Sequence, residues 1–145
     1  MEEIKIKKLN NNELPKYETE GSAGLDLRAS LEEDITLKPF EIKSLKVGIS
    51  IALPKGYEAQ IRPRSGFSFK HKIILLNSPG TIDSDYRGEI SVLLLNLSNK
   101  PFCIKNGDRV AQMVINKCEQ VSFKVVQKLD DTERGNGGFG HTGIK

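Results

Sequence analysis

Asp83 and Tyr86 lie in a polar stretch, Asn77 to Glu89, between the apolar runs Ile73 to Leu76 and Ile90 to Leu95. The two runs read as buried strands, so the stretch closes a long hairpin. Turn chemistry explains part of it: Pro79 presets one dihedral, Gly80 and Gly88 allow positive φ, and Asp or Ser side chains can close local turns. The connection is still long for a hairpin, and such loops in compact domains tend to carry function. Asp83 and Tyr86 are therefore expected at the rim of a cleft.

Three further stretches hold polar groups where strands are expected to end or pair. Arg62, Pro63, Arg64, Ser65 and Gly66 could hold a phosphate, since arginine offers a planar fork and glycine lets backbone amides approach closely. The same residues also suit a basic strand end leading into a turn. Asp26 interrupts Leu25 and Leu27, and aspartate inside a strand asks for a partner, most simply Arg28 or a lysine. Val110, Gln112 and Val114 share one face by period, which makes Gln112 either a satisfied core amide or a ligand group in a cleft.

The C-terminal stretch differs in kind. Asp130 to Gly143 is rich in glycine, with one arginine, Arg134, and one aromatic, Phe139. It cannot pack a core of its own. It reads either as a frayed tail or as a flap whose amides and Arg134 wrap phosphates while Phe139 covers a flat ring.

The elements that must position these groups are short strands. Ile4, Ile6 and Leu9 alternate with lysines as an edge strand, and Leu45, Val47, Ile49, Ile51 and Leu53 alternate as one half-buried strand. Tyr57, Ala59 and Ile61 repeat the period, and Val121 to Val126 supply a last strand. Phe67 and Phe69 anchor a short helical turn in the core, while His71 among lysines is a surface histidine. No segment sustains helical periodicity, so the expected fold is all-β, a barrel or sandwich.

At 145 residues there is room for one domain and one core. No apolar run is long enough to span a membrane, and the start Met1, Glu2, Glu3 is not a signal peptide, so a soluble, cytosolic protein is expected. The net charge of +3 is too weak and dispersed to argue by itself for a nucleic-acid surface. Cys103 and Cys118 show no metal-site spacing and read as small buried hydrophobes.

Together the stretches Ala23 to Leu27, Arg64 to Gly66, Asn77 to Gly88, Gly107 to Gln112 and Arg134 to Gly143 resemble the signature motifs of the trimeric dUTP pyrophosphatase (dUTPase) family, in the family's order. The resemblance implies a jelly-roll-like β-barrel over residues 1–129 and a glycine-rich flap over 130–145 that closes on a neighbouring subunit's site. It implies a homotrimer with shared sites, hydrolysis of dUTP to dUMP and pyrophosphate with Mg²⁺, and a cytoplasmic enzyme that binds neither nucleic acid nor membrane.

The same resemblance assigns roles. Asp83 would bind the 3′-hydroxyl and deprotonate the water attacking the α-phosphorus. Tyr86 would lie against the sugar and reject a 2′-hydroxyl; Asn77, Gly80, Thr81, Ile82 and Ser91 would read uracil and exclude the thymine methyl. Arg64, Ser65, Gly66 and Gln112 would contact the triphosphate, with Asp26 holding Mg²⁺ through water. In the flap, Arg134 would meet the γ-phosphate, Phe139 would stack on uracil, and Gly140, His141 and Thr142 would close over the phosphates. His141 stands where the family usually has serine; an imidazole can donate too, and His141→Ser is expected to alter at most KM.

Three rival readings are weaker. A dCTP deaminase of the same barrel would carry a glutamate on the strand Ile90 to Leu95, which has no acid. A nucleotide-dependent binding module could lose the base or the flap without penalty, yet Asp83, Arg134 and Phe139 are all present, and a structural β-trimer would leave the polar residues of the five stretches unexplained.

Overall fold

A computed structural model describes residues 3–138. Among them are eleven short strands and one helix: β1 Lys5–Lys8, β2 Leu25–Arg28, β3 Ile35–Leu37, β4 Ile42–Lys46, β5 Ile49–Ala52, β6 Tyr57–Arg62, α1 Ser65–His71, β7 Ile73–Leu75, β8 Gly80–Ile82, β9 Ser91–Asn96, β10 Phe102–Ile104 and β11 Arg109–Lys117. Every strand pair is antiparallel. The larger sheet runs β2-β11-β6-β8 and the second β4-β9-β7, with the pairs β1-β5 and β10-β3 completing a jelly-roll-like all-β fold. The alternating apolar residues of both sheets meet in one core, where Leu27, Leu45, Ile73, Val92, Leu94 and Ile104 are fully buried.

The run from Leu45 to Leu53 is two strands. Its apolar residues are all buried, as the period requires. The chain bends at Gly48, whose φ of +70° ends β4 and sends β5 to pair with β1. A side chain at Gly48 would also collide with the Asn10 amide. Alternation reports which residues face inward, and a corner of this kind preserves it.

Four other expectations change. No strand forms over 121–126: Val121, Phe123 and Val125 are 73, 94 and 97 % exposed, because an extended segment needs a pairing partner and this one finds none among the described residues. Phe69 is 89 % exposed. Two residues on from Phe67 lies the opposite side of a helix, so only Phe67 can pack inward, edge-on to Phe102. Both cysteines are free thiols and exposed, Cys103 on the outward face of β10 and Cys118 just past β11. A bulge between Arg109 and Ala111 breaks the alternation of β11, so Val110 turns into the core while Gln112 faces out.

The buried polar residue Asn96 was not singled out by pattern. Its amide donates to Leu37 O at 3.0 Å and Lys100 O at 2.8 Å, and its Oδ1 accepts from Ser98 N at 2.8 Å. It thereby ties β9 to β3 and to the turn before β10.

Candidate active site

The central loop crosses between the two sheets. The chain leaves β7, passes a cis Ser78–Pro79 bond and joins the larger sheet as β8, with Gly80 opposite Ile61, Thr81 opposite Gln60 and Ile82 opposite Ala59. It then turns, with Tyr86 N donating to Asp83 O at 3.1 Å, and returns to the second sheet as β9. A strand inside this loop was not apparent from the sequence, where three residues are too few to show a period.

Between the crossing and β9 lies a cleft of about 280 Å³, close to the lower end of small-molecule sites. Ile61, Leu75 and Leu93 give it an apolar floor, and Asn77, Gly80, Thr81, Ile82, Asp83, Tyr86 and Ser91 surround it. The expected rim positions of Asp83 and Tyr86 are therefore correct. Asp83 is exposed, and among the described residues its carboxylate has no ion-pair partner.

Both loop glycines lie close to neighbouring side chains, and neither Gly80 nor Gly88 uses the positive φ that glycine allows. A Cβ on Gly80 would stand 3.2 Å from the Asn77 amide nitrogen and 3.5 Å from Ile61. One on Gly88 would collide with the Tyr86 phenol, which closely approaches this glycine and donates to Glu89 O at 3.1 Å.

A second cleft, of about 370 Å³, lies on the outer face of the larger sheet. Asp26, Gln112 and Arg62 stand in one row across β2, β11 and β6. Arg64 Nε donates to Asp26 Oδ1 at 2.8 Å and Arg109 Nη1 to Oδ2 at 3.0 Å, so Asp26 pairs with neither Arg28 nor a lysine. Arg28 instead meets Glu13 at 3.1 Å. Gln112 Nε2 donates to Pro63 O at 2.9 Å, and Gly24 leaves it room. Ser65 and Gly66 open α1 beside Arg64 and line the same cleft.

Arg109 and Glu18 belong to this cluster and were missed, since nothing in the sequence signals a pairing between residues so far apart. The two clefts share no lining residue. Arg134 touches neither: its Nε donates to Gly137 O at 2.8 Å within a local turn. Phe139, Gly140, His141 and Thr142 lie outside the described residues.

The described residues thus form an all-β barrel with an apolar, polar-rimmed cleft of small-molecule size and a separate arginine-lined one. The dUTPase family model matches residues 10–143. Deoxyuridine 5'-triphosphate nucleotidohydrolases of Finegoldia magna and Fusobacterium nucleatum are 57 % and 54 % identical, each over 97 % of this chain and 98 % or 97 % of their own. The fold matches that of a mutant dUTPase of Staphylococcus bacteriophage 80alpha with dUpNHpp, at a TM-score of 0.86 and 23 % identity over 99 % of this chain and all of that one. A mutant dUTPase of S. aureus phage phi11, described with a structural Mg(II) ion, aligns at 0.81 and 21 % identity over 90 % of this chain and 100 % of its own. The chain belongs to the dUTPase family.

Proposed function

We propose that the protein hydrolyses dUTP to dUMP and pyrophosphate in the cytoplasm, limiting uracil in DNA and supplying dUMP for thymidylate synthesis. The observation that carries this is the cleft holding Asp83, Tyr86 and Asn77 over an apolar floor, in a chain of this family. Uracil is read by Asn77, by main-chain groups from Gly80 to Ile82 and by Ser91, donors and acceptors whose spacing the strands fix. Tyr86 lies against the deoxyribose and leaves no space for a 2′-hydroxyl. Asp83 accepts the 3′-hydroxyl and takes the proton of the water that attacks the α-phosphorus, as its exposed, unpaired carboxylate permits. The bond from that phosphorus to the bridging oxygen breaks, and pyrophosphate leaves.

Arg64, Ser65, Gly66 and Gln112 hold the triphosphate. Both Asp26 oxygens already accept from guanidiniums, and among the described residues no three His, Cys, Asp or Glu side chains cluster to cage a metal. This donor set suits a hydrated Mg²⁺ held through water, which when bound offsets phosphate charge.

The family resemblance has a working site take one cleft from each of two chains in a homotrimer, and two clefts that share no lining residue support that reading. The uncovered Val121, Phe123 and Val125 would then pair with a neighbouring subunit. Residues 130–145 form the flap, with Arg134 and Phe139 closing over the γ-phosphate and the base, and Gly140, His141 and Thr142 over the phosphates.

The test is pyrophosphate release from dUTP, dTTP, dCTP and UTP with Mg²⁺, for the wild type and Asp83→Asn. Selective dUTP hydrolysis that the mutant loses is expected. Binding of dUTP without turnover by the wild type would refute the catalytic assignments.

A further inference from the structure

We propose that Glu89 is a positioning residue for Tyr86 and so sets the preference for deoxyribo- over ribonucleotides. The inference rests on the reading of Tyr86 as the group that meets the sugar.

The two ends of Glu89 are tied to different parts of the molecule. Its main-chain oxygen accepts the Tyr86 hydroxyl at 3.1 Å. Its side chain points away from the cleft to the corner between β4 and β5, where Oε1 accepts from Gly48 N at 3.1 Å and Oε2 meets Lys46 Nζ at 3.2 Å. That side chain is 21 % exposed, so the charge-assisted bond to the Gly48 amide is shielded from competing water.

The corner is itself fixed. Gly48 packs against Asn10 with no room for a Cβ, Val47 N donates to Ile90 O at 3.0 Å, and Ile90 N donates to Ile49 O at 2.9 Å. The carboxylate of Glu89 thus anchors the peptide that receives the phenol to a rigid part of the barrel.

The anchor matters because of what precedes it. Gly88 must lack a side chain for the ring to lie on it, and a glycine in a loop is the point where the backbone turns most freely. Tyr86 is 44 % exposed, so water can replace the one hydrogen bond its hydroxyl makes among the described residues if the acceptor moves. An acceptor held in place keeps the ring against the sugar; a loose one lets the ring swing out and admits the 2′-hydroxyl.

The experiment compares kcat/KM for dUTP and UTP in the wild type, Glu89→Ala, Glu89→Gln, Tyr86→Phe and Tyr86→Ala, all with Mg²⁺. Glu89→Ala should lower the dUTP to UTP ratio about tenfold, chiefly through better use of UTP. Glu89→Gln should hold the ratio near wild type, since its amide oxygen still accepts from Gly48 N. Tyr86→Phe, which removes the hydroxyl and leaves the loop intact, should lower the ratio in the same direction and keeps the test available if Glu89→Ala fails to fold. Equal losses for both substrates in Glu89→Ala, or an unchanged ratio in Tyr86→Phe, overturn the proposal. Should those results accompany a collapsed ratio in Tyr86→Ala, the role of Tyr86 stands and only that of Glu89 falls. A wild-type ratio in Tyr86→Ala overturns both.

Discussion

Arg64 donates its Nε to Asp26 Oδ1 at 2.8 Å across 38 residues of chain. Arg109 holds the other oxygen, and Arg64 Nη1 also reaches Arg109 O at 3.1 Å. One carboxylate thus sets the direction of a guanidinium on each side of it. Asp26→Asn keeps the shape but not the charge, so kcat/KM for dUTP should fall about 10- to 100-fold, with more Mg²⁺ needed for half-maximal rate. An unchanged Mg²⁺ requirement would separate Asp26 from the metal.

Gly24 acts on the same cleft through space alone. In Gly24→Ala the new methyl meets Gln112 Oε1 and displaces the amide from Pro63 O. A shift of this size in a positioning group should lower kcat/KM for dUTP about tenfold while the fold is kept, because only the end of a flexible side chain moves. Steady-state kinetics with a melting curve would check this, and full activity would show that Gln112 does not need its present place.

Asn96→Leu tests the one buried polar residue identified in the core. It leaves two carbonyls and one amide without their partner, so unfolding in urea should show a loss of about 2–4 kcal/mol. A neutral outcome would mean that the turn before β10 rearranges to satisfy itself.

Phe40 has a φ of +58° and is 70 % exposed, in a turn where its side chain gains little. Phe40→Asn, a residue that tolerates this conformation, should raise stability by about 0.5–1 kcal/mol in the same assay. A loss would reveal that the ring is covered in the assembled protein.

The last prediction concerns the segment after β11. Phe123→Ser combined with Val125→Ser removes apolar surface that the single chain leaves in water. If a neighbour buries it, about 3–5 kcal/mol per subunit is lost from assembly, and sedimentation should show monomers that keep the β-rich circular dichroism of the wild type. An oligomer unchanged from the wild type would place the interface elsewhere.

The inward positions from the end of β4 through β6 were legible, because burial follows the period and Leu45, Ile49, Ala59 and Ile61 obey it whatever the path of the backbone; β1 is exposed along its length, and β3, β8 and β10 are too short to show a period. The clefts were legible as residue types, Asp83 and Tyr86 in one and Arg64 with Gln112 in the other. What stayed hidden depends on geometry between distant residues. The corner at Gly48 keeps the alternation it interrupts, so it leaves no mark. Asp26 chooses Arg64 and Arg109 over the adjacent Arg28 because strand register, not proximity in sequence, sets its neighbours. Phe69 and the two cysteines were misread from residue type, which gives an average preference and says nothing of which way one side chain points.

The loop from Asn77 to Glu89 lends its middle, β8, to one sheet while both of its flanks belong to the other. A chain in which the two sheets have come apart therefore has no cleft here at all. Ligand bound there favours only the fully docked barrel, so a nucleotide analogue should slow amide exchange in β6 and β9 together. In a cell, abundance of substrate would protect finished molecules from proteases and give no shelter to half-built ones.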